Sequence, residues 1–266
     1  MFAPALPTGG LPGWVLLNRT FDRQTAAFDA APRIQRDTEY FQANIADVRS
    51  AEDLVSDRRL LRVALGAFGL QDDLNNRAFI RAILEQGTVA QDALANRLTD
   101  DRYKRLADAF GFAEPDGPET TRPGFGAEIT AQFRRREFEV AVGEQDQAMR
   151  LALNAQRELP LLAAEGGRDT TIWLRILGTP PLRQVFETAL GLPEGVAQLD
   201  LDRQVEVFQD RARAALKLDS VSDLADPSRR EEVIRRFLVQ DQIRRVTVLT
   251  PAGVALSLLQ ARPAVR

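Results

Sequence analysis

Apolar residues recur along this chain at intervals of three, four and seven, the spacing of helix faces, and almost nowhere at the alternating spacing of strands. Trp14, Leu17, Phe21 and Phe28 mark one amphipathic stripe. Pro32 interrupts it, and Ile34, Phe41, Ile45 and Val48 continue on a second helix. Ser50–Asp53, "SAED", has the form of a capping box with aspartate in place of glutamate or glutamine. The stretch "LVSDRRLLRVALGAFGL", residues 54–70, then predicts a short helix with both ends marked. Asp57 stands at the N-cap, and Leu60, Leu61, Ala64, Leu65 and Phe68 form a broad apolar face. Gly69 supplies a left-handed stop, and Leu70 the apolar contact of a Schellman ending.

This helix is echoed by "ILGTPPLRQVFETALGL" at residues 176–192, where Leu182, Val185, Ala189, Gly191 and Leu192 match Leu60, Val63, Ala67, Gly69 and Leu70. Thr179 takes the cap position there, with Pro180 and Pro181 in the first turn, where proline is tolerated. A third version, "LTDDRYKRLADAFGF", occupies residues 98–112. Residues 113–126, "AEPDGPETTRPGFG", read as a linker. No proline intervenes from Glu128 to Leu159, which predicts one helix of about 30 residues, roughly 45 Å long. Further on, "VTVL" at residues 246–249 is the one strand-like run, and Thr250 and Pro251 open a final helix.

The expected fold is therefore all-α: two related multi-helix lobes joined by a long helix, with little or no β. The divisions are an N-terminal helical lobe at 1–112, a linker at 113–126, a long connecting helix at 127–165 and a C-terminal helical lobe at 166–266 carrying the diverged repeat.

Composition narrows the chemistry sharply. The 266 residues include no cysteine and no histidine. Disulfides, thiolate nucleophiles, zinc–sulfur sites, histidine-based triads and HExxH chemistry are thus excluded. Lys104 and Lys217 are the only lysines, so nearly all positive charge is arginine, whose pKa suits contacts better than proton transfer. A net charge of −3 gives no general basic field for nucleic acid. No apolar run approaches the ~20 residues of a membrane span. The N-terminal "MFAPALPTGGLPGWVLLNR" lacks the basic region and long apolar core of a cleaved signal peptide.

Candidate sites are few. "LDLD" at 199–202 has two carboxylates but no cage of oxygens around it, and Asp200 or Asp202 reads more simply as a helix cap. "FRRREF" at 133–138 fans Arg134, Arg135 and Arg136 around a helix, offset by Glu128, Glu137 and Glu139. "GTPP" and "EGGR" are turns without the phosphate-loop pattern, the second preceding a helix capped by Asp169 or Thr170. No catalytic, cofactor or metal residues are assigned. Two sets are candidates for contact with a protein partner. One is the terminal stripe Trp14, Leu17, Phe21 and Phe28; the other is the arginine-rich stretch with Arg235, Arg236, Arg244 and Arg245.

Tyr40–Phe41, the Asp57–Leu61 start, Ala67–Leu70, Leu98–Tyr103 and Ala109–Phe112 carry a family resemblance. The chain resembles an uncharacterised bacterial family catalogued as domain of unknown function twelve-seventeen, most strongly over about residues 21–112 and more weakly around 181–238. Members often lie among flagellar genes, so the resemblance implies a flagellum-associated role. It assigns no catalytic residue. The expectation is a non-catalytic structural, adaptor or assembly protein acting through protein–protein contacts, with a flagellar component as partner and self-association left open. Nucleic acid, cofactors and a membrane span are not expected. Its location would be cytoplasmic, or flagellum-associated without a cleaved signal peptide. The alternatives are an anion- or nucleic-acid-binding module and an enzyme using carboxylates or a bound cofactor. The enzyme reading predicts a deep pocket containing a carboxylate with a raised pKa.

Overall fold

The computed structural model describes residues 3–249. Among the described residues there are thirteen α-helices, five short 3-10 turns and no strand. The described residues divide into two compact units: residues 3–5 with Leu17–Gln145, and Leu6–Leu16 with residues 146–249.

The first unit holds most of α1 (Gly10–Asp29), then α2 (Pro32–Asn44), α3 (Ala51–Ser56), α4 (Arg58–Phe68), α5 (Arg77–Gln86), α6 (Leu94–Arg97), α7 (Asp101–Phe110) and α8 (Phe125–Gly143). The capped helix read from the sequence, α4, is its centre and packs against α2, α3, α7 and α8. Leu60, Leu61 and every residue from Val63 to Phe68 are buried. A helix of eleven residues is marginal alone, so burial of nearly its whole surface is what holds it. At Gly66 a β-carbon would lie 2.7 Å from the ring of buried Phe133 on α8, so α8 sits against bare backbone there.

The ends of α4 follow the sequence closely. Asp57 Oδ1 accepts from the backbone N–H groups of Arg59 at 2.8 Å and Leu60 at 3.1 Å. Its other oxygen accepts from the Tyr40 hydroxyl at 2.6 Å, and the Arg59 guanidinium lies 3.8 Å from that ring's centre. Gly69 has φ +73°, and Leu70 N–H donates to Leu65 O at 2.8 Å, closing a Schellman end. The Ser50–Asp53 box caps α3 reciprocally. Asp100 caps α7, which stops at left-handed Gly111. Arg102 donates both to Asp100 and to the carbonyl of Gly69, tying the start of α7 to the end of α4.

The second unit contains the first turns of α1, then α9 (Gln147–Ala164), α10 (Asp169–Gly178), α11 (Pro180–Ala189), α12 (Leu201–Leu216) and α13 (Pro227–Leu249). Trp173 sits at its core, 5.1 Å from Phe186 and 6.2 Å from Phe208, centre to centre. The echo helix α11 ends as its counterpart does, with Leu192 N–H on Glu187 O at 2.9 Å and Gly191 at φ +64°. The Ser-x-x-Asp-Leu box of residues 50–54 also returns at 220–224, again with reciprocal capping, ahead of α13.

Several expectations are corrected. The helix expected over 127–165 is two helices, because Asp146 caps a new start by accepting from Ala148 N–H at 2.9 Å. That second helix runs through Pro160 to Ala164. Residues 113–126 lie inside the first unit, where Thr120 and Phe125 are buried. The "VTVL" run is the helical end of α13, not a strand. The Thr179 hydroxyl donates back to Arg175 O at 2.8 Å and does not cap α11. Asp169 does not cap α10 either. Its carboxylate accepts from Val221 N–H (2.6 Å), the Ser220 hydroxyl (2.9 Å), Trp173 Nε1 (3.0 Å) and Gln209 Nε2 (3.2 Å), binding three parts of the unit together. The helix expected from Thr250 lies outside the described residues.

Three substitutions test these readings. Gly66→Ala is expected to cost about 1–3 kcal/mol by overpacking against Phe133, seen as a lower denaturant midpoint by circular dichroism. Asp169→Ala removes one charged acceptor from four donors and is expected to cost about 2–4 kcal/mol. Both tryptophans, Trp14 and Trp173, belong to the second unit, so intrinsic emission follows that unit's unfolding. Asp57→Ala is expected to cost about 1–2 kcal/mol at pH 7. Burial by itself would raise the Asp57 pKa, but the Tyr40 hydroxyl and the Leu60 and Arg59 N–H groups outweigh it and hold the carboxyl below its usual range. A lowered folded pKa means stability that is present above about pH 4 and lost as pH falls through the folded value. The difference between Asp57→Ala and the parent chain should therefore shrink on acidification below that point.

Candidate functional site

Each unit holds a cavity. In the second unit a space of about 220 Å³ is bordered by Thr8, Gly9, Gly10 and Gln242, with Asp146 and Asp241 on its rim. Arg245 bridges those two carboxylates, at 3.2 Å from Asp146 and 2.7 Å from Asp241. Both of its carboxylates are thus engaged by the same guanidinium.

In the first unit a cavity of about 150 Å³ lies between the N-terminal segment at Ala3–Pro4, the end of α1, the start of α2 and the C-terminal half of α8. Phe28, Ile34 and Val140 give it an apolar wall. Glu137, Arg33, Glu144 and Gln145 supply the polar groups. Helical spacing explains the acidic pair: positions 137, 140, 141 and 144 share one face of α8 and its last turn. Gln145 Nε2 donates to Pro4 O at 2.7 Å and holds the N-terminal segment over the cavity, while Gln24 exchanges hydrogen bonds with both backbone groups of Ala5.

Glu137 is the perturbed group here. Burial pushes its carboxyl above the usual range, the Arg33 guanidinium at 2.5 Å opposes this, and the nearby Asp37 charge reinforces it. Asp37 is itself buried, with one oxygen that makes no hydrogen bond and an Arg62 guanidinium 3.7 Å away. A cavity containing a carboxylate of raised pKa is thus present, though it is smaller than the roughly 300–1,000 Å³ typical of ligand pockets. Among the described residues no group of three or more acidic side chains is placed to hold a metal ion. None of the described helices is long and apolar enough to cross a membrane.

The residues expected to bind a partner do not form one surface. Trp14, Leu17 and Phe28 are buried, and Trp14 Nε1 donates to both oxygens of Glu231 at 3.2 Å. Phe21 meets the edge of Phe138 at 5.4 Å and lies 4.1 Å under the Arg135 guanidinium. Arg236 donates to Ala189 O at 2.7 Å, and Arg244 to the Thr188 hydroxyl at 3.2 Å and Leu192 O at 3.4 Å. Arg236 thereby closes the carbonyl end of α11, where positive charge is favoured, and Arg244 ties α13 to the turn that follows it. Arg245 joins Asp146 and Asp241; Arg235 alone of the four is exposed without a bond among the described residues. In "FRRREF", Arg134 faces Asp29 at 3.7 Å and Arg135 faces Glu139 at 3.3 Å.

Sequence reasoning missed two features. Glu137 was visible only as a charge offsetting three arginines, since its burial depends on α2 and the N-terminal segment. Val239, Ile243 and Val246, exposed along one face of α13, have plain i, i+4, i+7 spacing. That pattern was hidden by the strand-like look of the run that begins at Val246.

Comparison with known proteins agrees with this architecture. The crystal structure of protein AGR_C_984 from Agrobacterium tumefaciens, a structural genomics target, is similar with a TM-score of 0.75 and 26% identity, over 92% of this chain and 97% of that one. No curated protein matches. The family described as "Protein of unknown function (DUF1217)" matches residues 67–229, which include both the Gly69 helix end and the echo helix. The chain belongs to that family.

Proposed function

We propose that this protein is a non-catalytic, flagellum-associated structural, adaptor or assembly factor that works through protein–protein contacts. The observation that supports contact is the row of Val239, Ile243 and Val246, which are 37%, 52% and 59% exposed on the last turns of α13. Aliphatic side chains aligned at helical spacing and left to solvent are the pattern of a helix face that meets another protein. The flagellar part of the reading rests on the gene neighbourhood associated with the family resemblance. A second reading, an enzyme using carboxylates, draws on Glu137 in its cavity. Its carboxylate is already held by Arg33, and the small volume fits a small ligand better than a substrate with room to react.

Deleting the gene is expected to abolish or slow swimming, scored in soft agar and by electron microscopy of flagella. Normal motility with intact flagella would overturn the flagellar reading. A double substitution, Val239→Ser with Ile243→Ser, should reproduce the deletion phenotype while leaving the melting transition of the purified chain within about 1 kcal/mol of the parent, as expected of exposed positions. Full motility of that variant would remove the α13 face from the reading.

A further inference from the structure

We propose that the cavity of the first unit is a binding site for a small aliphatic ammonium ion. Three observations converge on that chemistry. The charged groups lining it are Glu137, Glu144 and Arg33, so the lining carries one net negative charge, and the neighbouring Asp37–Arg62 pair leaves that balance unchanged. Arg33 is engaged with Glu137, whereas the Glu144 side chain at the rim has no hydrogen bond or ion pair among the described residues. An anion would meet two carboxylates and an occupied guanidinium; a cation would meet one free carboxylate and one under-compensated by its surroundings.

The wall selects the body of the ligand. Phe28, Ile34, Val140 and Ala141 present carbon rather than hydrogen-bonding groups, which favours a hydrocarbon tail over a hydrated metal ion. Hard cations need about six oxygens in a shaped cage, and no group of three or more acidic side chains among the described residues is placed to hold a metal ion. The volume of about 150 Å³ admits a short chain and excludes a nucleotide or cofactor. A primary ammonium on a short alkyl chain satisfies the charge, the apolar wall and the size together.

The full-length chain can be titrated with n-butylammonium chloride by isothermal calorimetry, beside sodium butyrate and 1-butanol at matched ionic strength. Saturable one-to-one binding of butylammonium, with neither control binding, is the expected result. Glu144→Gln, at an exposed position, should weaken it about tenfold. Ala141→Leu, which fills the cavity, should abolish it while the far-UV spectrum and melting transition persist. Absence of saturable butylammonium binding, an equal response to butyrate or butanol, or binding unaltered by both substitutions would each overturn the assignment.

Discussion

The ends of short helices are the constraint on which this protein depends. Each α-helix leaves four N–H groups and four carbonyls without partners inside the helix. A chain built from helices of four to twenty-three residues multiplies that cost many times. Here the cost is met at several of these ends by named groups. Asp57, Asp100 and Asp146 accept at helix starts, and the Ser-x-x-Asp boxes at 50–53 and 220–223 do so reciprocally. Gly69, Gly111 and Gly191 turn the chain back onto its own carbonyls.

Arginine extends the same solution into tertiary structure. Arg102 reaches the carbonyl of Gly69 and Arg236 that of Ala189 at the end of α11, so guanidinium groups close helix ends that the backbone leaves open. A planar group with five donors suits this better than an ammonium. Arginines that look like a contact surface in the sequence are in large part internal fasteners. The same holds for Trp14 and Leu17, whose terminal stripe is core.

Two exposed features carry the functional argument. Val239, Ile243 and Val246 are apolar side chains exposed on α13, and the Glu144 side chain beside the cavity has no ion pair among the described residues. The two features lie in different units and call for different partners, a protein face in one case and a small cation in the other. Neither needs reactive groups of the kind that a chain without cysteine or histidine lacks.

Local chemistry was legible in the sequence, and distant packing was not. The all-α class, the Asp57 cap, the Gly69 and Gly191 stops and the break at Pro32 follow from interactions spanning fewer than about six residues, which the order of side chains states directly. Asp169 looked like a cap by the same local logic, yet its oxygens face Ser220, Val221 and Gln209, forty or more residues away. The burial of Glu137, the assignment of Leu6–Leu16 to the second unit and the role of Arg236 likewise depend on partners 47 to more than a hundred residues distant. Spacing along a chain sets which side chains share a face. Which faces meet is decided only when loops of that length close, and no local pattern encodes it.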